Sequence, residues 1–365
     1  MAKLRFIADR GAYLPSYFLW DDAISKFCAT EDFAFLADRF GYLNQFTRID
    51  AAAISEGKLP AFDSTIDFAT CMETRAVEIL DHCRNTDCRC YVLWSGGCDS
   101  TGVLSALINV GFPREKLTAL YTKSSLEEYS AFFHWLTELG VHTELVTALE
   151  MFPTAISYAK RGDIVLTGFP ADQLFGSIIG QNYPGDTTKV HWTEYLKANR
   201  ANQQYEAAFQ YYGLPIRTIA EFLWFNNFAL KWDYVCYPGL MMVNDTHNNI
   251  IPFYNTQSFQ DWSASNFDVL HRYDQKDAAN YKIQMKDYIH GVTKLDSVYS
   301  LKKVPSLAQA YTVESVVDPL DYVTVSGLDD AEQVITKTLA GGPPDSIMDI
   351  AGKCCASIMR RYLKK

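Results

Sequence analysis

Six consecutive residues, Ser95-Gly96-Gly97-Cys98-Asp99-Ser100, put two glycines, two hydroxyls, a thiol and a carboxylate into one short segment. Glycines let a turn approach a ligand closely and take dihedrals that a Cβ disfavours. Amides exposed in such a turn attract an anion, more so when a helix starts directly after it. Ser95 and Ser100 add hydroxyl donors. A carboxylate is out of place in a phosphate cradle unless a cation stands between the two, so Asp99 points to Mg²⁺. No Gly-x4-Gly-Lys-Ser/Thr occurs, so the ordinary P-loop is absent. A second glycine-bearing segment, Thr167-Gly168-Phe169-Pro170-Ala171-Asp172-Gln173-Leu174-Phe175-Gly176, carries another aspartate.

These segments need elements to hold them. Cys90-Tyr91-Val92-Leu93-Trp94 has the length and β-preference of a buried strand, and it delivers the chain to Ser95. Residues 101–110 read as a helix stopped by Gly111. Further strands are predicted at 117–122, 141–147 and 164–167, with helices at 64–83, 125–139 and 149–160. Asp63 or Ser64 is the expected cap of the first helix. Short strands alternating with longer helices indicate an α/β fold with a parallel sheet. Such sheets bind ligands beyond the carboxyl ends of their strands, where both glycine segments fall. Residues 190–300 are mostly helical in period, and 341–344 (Gly-Gly-Pro-Pro) precede a predicted final helix at 345–363.

Ser-Gly-Gly-x-Asp-Ser after a strand and before a helix resembles the signature of the PP-loop ATP pyrophosphatases. That family cleaves ATP between its α- and β-phosphates and leaves an adenylated substrate. The stretch 165–176 is similar to the asparagine synthetase segment Val-Leu-Ser-Gly-Glu-Gly-Ala-Asp-Glu-Leu-Phe-Gly. The resemblance implies a nucleotide alpha-hydrolase-like sheet domain with a mostly helical C-terminal portion. It also implies ATP bound at Ser95, Gly96, Gly97, Cys98, Asp99, Ser100, Thr167 and Gly168, with Mg²⁺ held by Asp99 and Asp172. Leu230-Lys231-Trp232-Asp233 and Ile251-Pro252-Phe253-Tyr254 resemble two further family blocks more weakly. Lys302-Lys303-Val304-Pro305-Ser306 lies where the family carries a catalytic lysine before a serine. Lys302 is the first candidate and Lys303 its rival, in the role of a cation beside developing negative charge. The expected activity is an AMP-forming carbon–nitrogen ligase that joins a small-molecule carboxylate to ammonia or an amine.

Departures bear on the substrate. Phe169 stands where asparagine synthetases carry a glutamate that assists nitrogen attack, and phenylalanine accepts no proton. Asn248, Ile250 and Asn255 match positions that are charged in the family, so aspartate is not the expected acid. Ala2 stands where glutamine-using members have a catalytic cysteine, and the loop begins at Ser95. The expectation is therefore a synthetase-like chain without a glutaminase domain, its nitrogen coming free, from an amine, or from a separate glutaminase or amine-donor protein. Two other readings remain: a PP-loop enzyme modifying tRNA or a nucleobase, and a non-catalytic nucleotide-binding subunit of a split amidotransferase. The former predicts zinc cysteines, a catalytic cysteine pair or a basic face. His82-Cys83-x4-Cys88-x-Cys90 does not match paired Cys-x2-Cys knuckles.

Lys plus Arg is 33 against 43 Asp plus Glu, a net charge of −10, which argues against a broad nucleic-acid surface. No apolar run reaches the ~18–20 residues of a membrane helix, and the N-terminus lacks a signal-peptide core. Nine cysteines in 365 residues are too sparse and too odd in number for a disulfide framework, so a cytoplasmic location is expected. The expected organisation is an aromatic-rich extension at 1–63, the ATP-binding α/β domain at 64–190, a helical remainder at 191–320 and a C-terminal extension at 321–365.

Overall fold

The computed structural model describes residues 62–301 apart from 148–149, 177–184, 196–205, 207–208, 211–212, 226, 229–248 and 271–279. Lys302, Lys303, the Lys231 block, the segment 341–344 and the helix expected at 345–363 lie outside the described residues. The described residues fall into two compact units, one running to Phe175 and resuming at Asn249, the other within 176–228.

The first unit opens with α1 (Phe68–Thr86), whose buried face is Phe68, Cys71, Met72, Ala76, Ile79, Leu80 and Cys83. Its cap is Asp67, which accepts from the Thr70 amide at 2.8 Å, rather than Asp63 or Ser64. Strand β1 (Cys90–Trp94) follows, then α2 (Cys98–Asn109), β2 (Leu117–Tyr121), α3 (Lys123–Glu128) and α4 (Ser130–Glu138). One helix is predicted over 125–139. Instead the chain breaks at Tyr129 (φ −144°, ψ 65°), while Thr122 and Ser125 form a capping box that starts α3 early. Next come β3 (His142–Leu145), α5 (Met151–Lys160), β4 (Ile164–Thr167) and α6 (Ala171–Phe175).

The second unit contributes α7 (Trp192–Tyr195) and α8 (Ile219–Phe225), joined by an antiparallel bridge between His191 and Thr218. Trp192 stacks on Phe222 at 5.5 Å and meets Phe209 edge-on at 5.4 Å, which makes its core largely aromatic. The chain re-enters the first unit with β5 (Ile250–Pro252), α9 (Gln257–Ser265), α10 (Phe267–Leu270), α11 (Ile283–Thr293) and a 3₁₀ turn at Asp296–Ser300.

The sheet is five-stranded and parallel throughout, in the order β3-β2-β1-β4-β5. Helices cover both faces. Tyr91 and Leu93 of β1 belong with the α5 side, among Leu120, Met151, Ala155, Val165 and Ile250. Alternation turns Trp94 to the other face, where its indole donates to Thr101 Oγ1 of α2 at 3.0 Å, and α1 and α11 pack against α2. The strand order reverses between β1 and β4, and α/β sheets bind ligands in the crevice at such a point. Among the described residues no helix is long and apolar enough to cross a membrane.

Candidate functional site

The two glycine-bearing segments leave the carboxyl ends of the neighbouring strands β1 and β4 and touch. A Cβ on Gly168 would lie 3.0 Å from both Asp99 Cβ and the Ser100 amide, so this position has no room for a side chain. Gly96 takes φ +85°, and a Cβ there would meet the Ser125 carbonyl at 2.5 Å. These two glycines let the β1 turn sit between α3 and the β4 turn.

Within the loop, Ser100 Oγ accepts from the Ser95 amide at 3.0 Å and lies 3.1 Å from Ser95 Oγ. Gly97 is the cap of α2 and provides no side chain to satisfy the helix's first amides. Asp99 is in the first turn of α2, where a carboxylate suits the helix dipole. Its carbonyl accepts from the buried Tyr254 hydroxyl at 2.8 Å, and Gly102 makes that approach possible, since a Cβ there would lie 2.6 Å from the same oxygen. Thr167 is 4% exposed and its hydroxyl accepts from the Phe169 amide at 3.4 Å, so it shapes the β4 turn from inside the sheet. Burial pushes the Cys98 thiol up to about 11, against the pull of Lys282 and Lys286, and it is neutral at physiological pH. The Glu128 carboxylate from α3 is also at the loop, 3.2 Å from where a Gly97 Cβ would be.

The two aspartates converge on one group. Lys282 Nζ pairs with Asp99 Oδ1 and lies 2.5 Å from Asp172 Oδ1. The Tyr281 hydroxyl donates to the same Asp172 oxygen at 2.7 Å. The Lys282 side chain is 3% exposed, while those of Asp99 and Asp172 are 27% and 43% exposed, so the carboxylates face an opening and the ammonium lies behind them. Burial alone would lower the ammonium's pKa. Asp172 and then Asp99 outweigh it and hold the group charged, well above the usual lysine range. Burial, with Asp172 beside it, likewise keeps the Tyr281 phenol protonated.

Lys282 occupies this place at a conformational cost. It caps α11 with left-handed dihedrals (φ 54°, ψ 41°), which a non-glycine residue adopts at an expense of about 1–2 kcal/mol. Its charge also opposes the positive end of the helix dipole. Both costs are offset by the two carboxylates, and residues held this way concentrate at functional sites. One turn along α11, Lys286 is buried at 2% exposure. The sequence reading did not single out either lysine. The available signal was their spacing of four, in register with the buried Ile289 and Thr293 further along the same helix.

Thus the structure brings together Ser95, Gly96, Gly97, Asp99, Ser100, Gly168 and Asp172, and adds Lys282, Lys286 and Tyr281. Two carboxylate oxygens within reach of one ammonium are also placed to share one divalent cation, and hard oxygen donors suit Mg²⁺. No group of three or more His, Cys, Asp or Glu among the described residues is arranged to hold a metal alone. The remaining ligand positions would fall to phosphate and water, the common arrangement for this ion. No protein-family model matches the sequence, and no curated protein matches it.

Proposed function

We propose that the chain is an AMP-forming ligase of the PP-loop type, adenylating a small carboxylate with ATP and passing the acyl group to ammonia or an amine. The observation that carries this reading is the convergence of Asp99, Asp172 and Lys282 beside the Ser95–Ser100 turn, at the point where the strand order reverses. An anion-binding turn next to paired carboxylates suits a triphosphate chelated to a divalent cation better than a bare anion, which the carboxylates would repel.

In this reading the first amides of α2 and the hydroxyls of Ser95 and Ser100 hold the phosphates. Asp99 and Asp172 would hold Mg²⁺, which when bound neutralises phosphate charge and favours departure of pyrophosphate. Lys282 then gives up one or both carboxylates, and its flexible stem carries the ammonium toward phosphate oxygens. Lys286 adds a second positive charge behind the loop. Gly168, without a side chain, keeps the two turns together while the α-phosphorus is attacked by the carboxylate. Phe169 offers no base, and the Tyr281 phenol holds its proton, so the nitrogen nucleophile enters as a free amine that needs no proton removed before attack.

ATP–pyrophosphate exchange, measured with panels of acids, tests this. Exchange should appear with one class of acid, require Mg²⁺, and be abolished by Asp99→Ala. Exchange undiminished in that variant overturns the assignment. ATP binding without exchange in any panel favours the non-catalytic nucleotide-binding subunit.

A further inference from the structure

We infer that Cys83 and Cys88 are a reversible dithiol–disulfide pair, a modification site independent of the proposed ATP chemistry. Their Sγ atoms lie 3.0 Å apart, and both residues are buried. The contact has a local cause. Asp87 ends α1 in the left-handed region (φ 56°), a conformation aspartate tolerates better than most residues. That reversal folds the next residue back on the helix's last turns, as helix caps of this kind do. Cys88 is therefore directed at Cys83, one turn before the end of α1. Asp99, Asp172 and Lys282 take no part in this cluster.

Two thiols already in contact need little movement to bond. Burial, with the Cys88 thiol next to it, pushes the Cys83 thiol well up, so Cys83 does not start the exchange. Cys88 lies in the three-residue connection between α1 and β1, between two fastened points. Asp87 is held by its exposed pair with Lys116. Arg89 is held by its side chain to the Glu115 carbonyl at 2.7 Å, by its amide to the Asp163 carboxylate at 3.0 Å, and by its carbonyl, which accepts from the Ile164 amide at 3.0 Å. Exposed ion pairs hold weakly, so this connection opens more readily than the helix or the strand. The oxidant is a small disulfide such as oxidised glutathione. The Cys88 thiolate attacks one of its sulfurs, forming a mixed disulfide and expelling one glutathione thiolate. Cys83, deprotonated as that thiolate takes up its proton, attacks the Cys88 sulfur and expels the second glutathione. The balance is one glutathione disulfide and two protein thiols giving one protein disulfide and two glutathione thiols. The link would fasten the end of α1 to the start of β1, whose far end carries Ser95.

Trypsin separates the relevant thiols, because Arg75, Arg84, Arg89 and Arg114 place Cys83 on 76–84, Cys88 on 85–89, and Cys90 with Cys98 on 90–114. The folded, reduced full chain is treated with oxidised glutathione, alkylated, and digested without reductant. Peptides 76–84 and 85–89 should appear joined, two hydrogens lighter than their sum, and should separate with dithiothreitol. Joining of 90–114 to either peptide would overturn the pairing, as would full alkylation of both peptides after oxidation. In Cys83→Ser, which removes one small buried sulfur, Cys88 should retain one glutathione. If it takes up none, the exchange route is wrong and the inference fails.

Discussion

Lys282 is the residue on which the candidate site turns. With its folded pKa raised by Asp172 and Asp99 over the opposing effect of burial, the folded chain keeps a proton that the unfolded chain releases. The stabilising contribution is therefore complete below the unfolded lysine value of about 10.4 and is lost as pH rises through the higher folded value. Tyr254 and Tyr281, both raised by burial and a neighbouring aspartate, act with the same sign from about pH 10 upward. Thermal midpoints measured from about pH 8 to about pH 11 should fall at the alkaline end, and fall less steeply in Lys282→Met. An equal slope in the two chains would show that Lys282 carries no such linkage. At about pH 8 the same variant should lose roughly 1–3 kcal/mol, below the full cost of breaking a buried pair because both aspartates are partly exposed. Asp99 and Asp172 were legible as a pair through the resemblance of their two glycine-bearing segments to PP-loop motifs. Lys282 was not, because its sequence neighbours mark it only as a lysine near a helix start. Its partners are 183 residues and 110 residues away, in the α2 and α6 turns.

At the scale of elements, the site depends on how closely two turns can approach. Gly168→Ala should push its Cβ against Asp99 and the Ser100 amide, costing about 1–3 kcal/mol as overpacking does. It should also weaken ATP binding by separating the two aspartates. Gly291→Ala is the matching control, because it lies within α11 with nothing within 4 Å of its added Cβ. It should stabilise by about 0.5–1 kcal/mol and leave ATP binding unchanged. Urea unfolding with nucleotide titration on both chains checks the pair, and equal effects would count against the close-approach argument. The same elements show what patterning carries. β1 and β4 were readable to the residue, since buried parallel strands are short apolar runs bounded by turn residues. The interruption of the 125–139 helix was hidden because Tyr129 is an apolar residue in helical register, and its kink is set by the capping of α3. β5 was missed because three residues ending in Pro252 make no periodic signal. That proline is tolerated because, among the described residues, β5 has β4 as its only neighbour in the order of the sheet.

For the whole molecule, the net charge of −10 and the local arrangement pull in opposite directions. Long-range repulsion slows the approach of ATP, and salt screens it over a Debye length of roughly 10 Å at 0.1 M. The buried ammonium groups of Lys282 and Lys286 are screened far less, so bound nucleotide should depend on salt mainly through its rate of arrival. Because Asp99 and Asp172 line the same site as Lys282, ATP without Mg²⁺ meets both carboxylates directly and should bind weakly. A ligand that binds the folded state alone, present at 100 times its dissociation constant, stabilises by about 2.7 kcal/mol. The loop, both aspartates and both lysines belong to the unit that runs to Phe175 and resumes at Asn249. Chains with more than one unit commonly unfold in more than one calorimetric step. ATP with Mg²⁺ should therefore raise the midpoint of the step in which that unit unfolds, by several degrees. ATP with excess chelator should raise it little, and Asp172→Ala should remove the Mg²⁺-dependent part of the shift. An equal shift with and without Mg²⁺ would mean that the paired carboxylates take no part in holding the nucleotide, and the ligase reading would lose its main support.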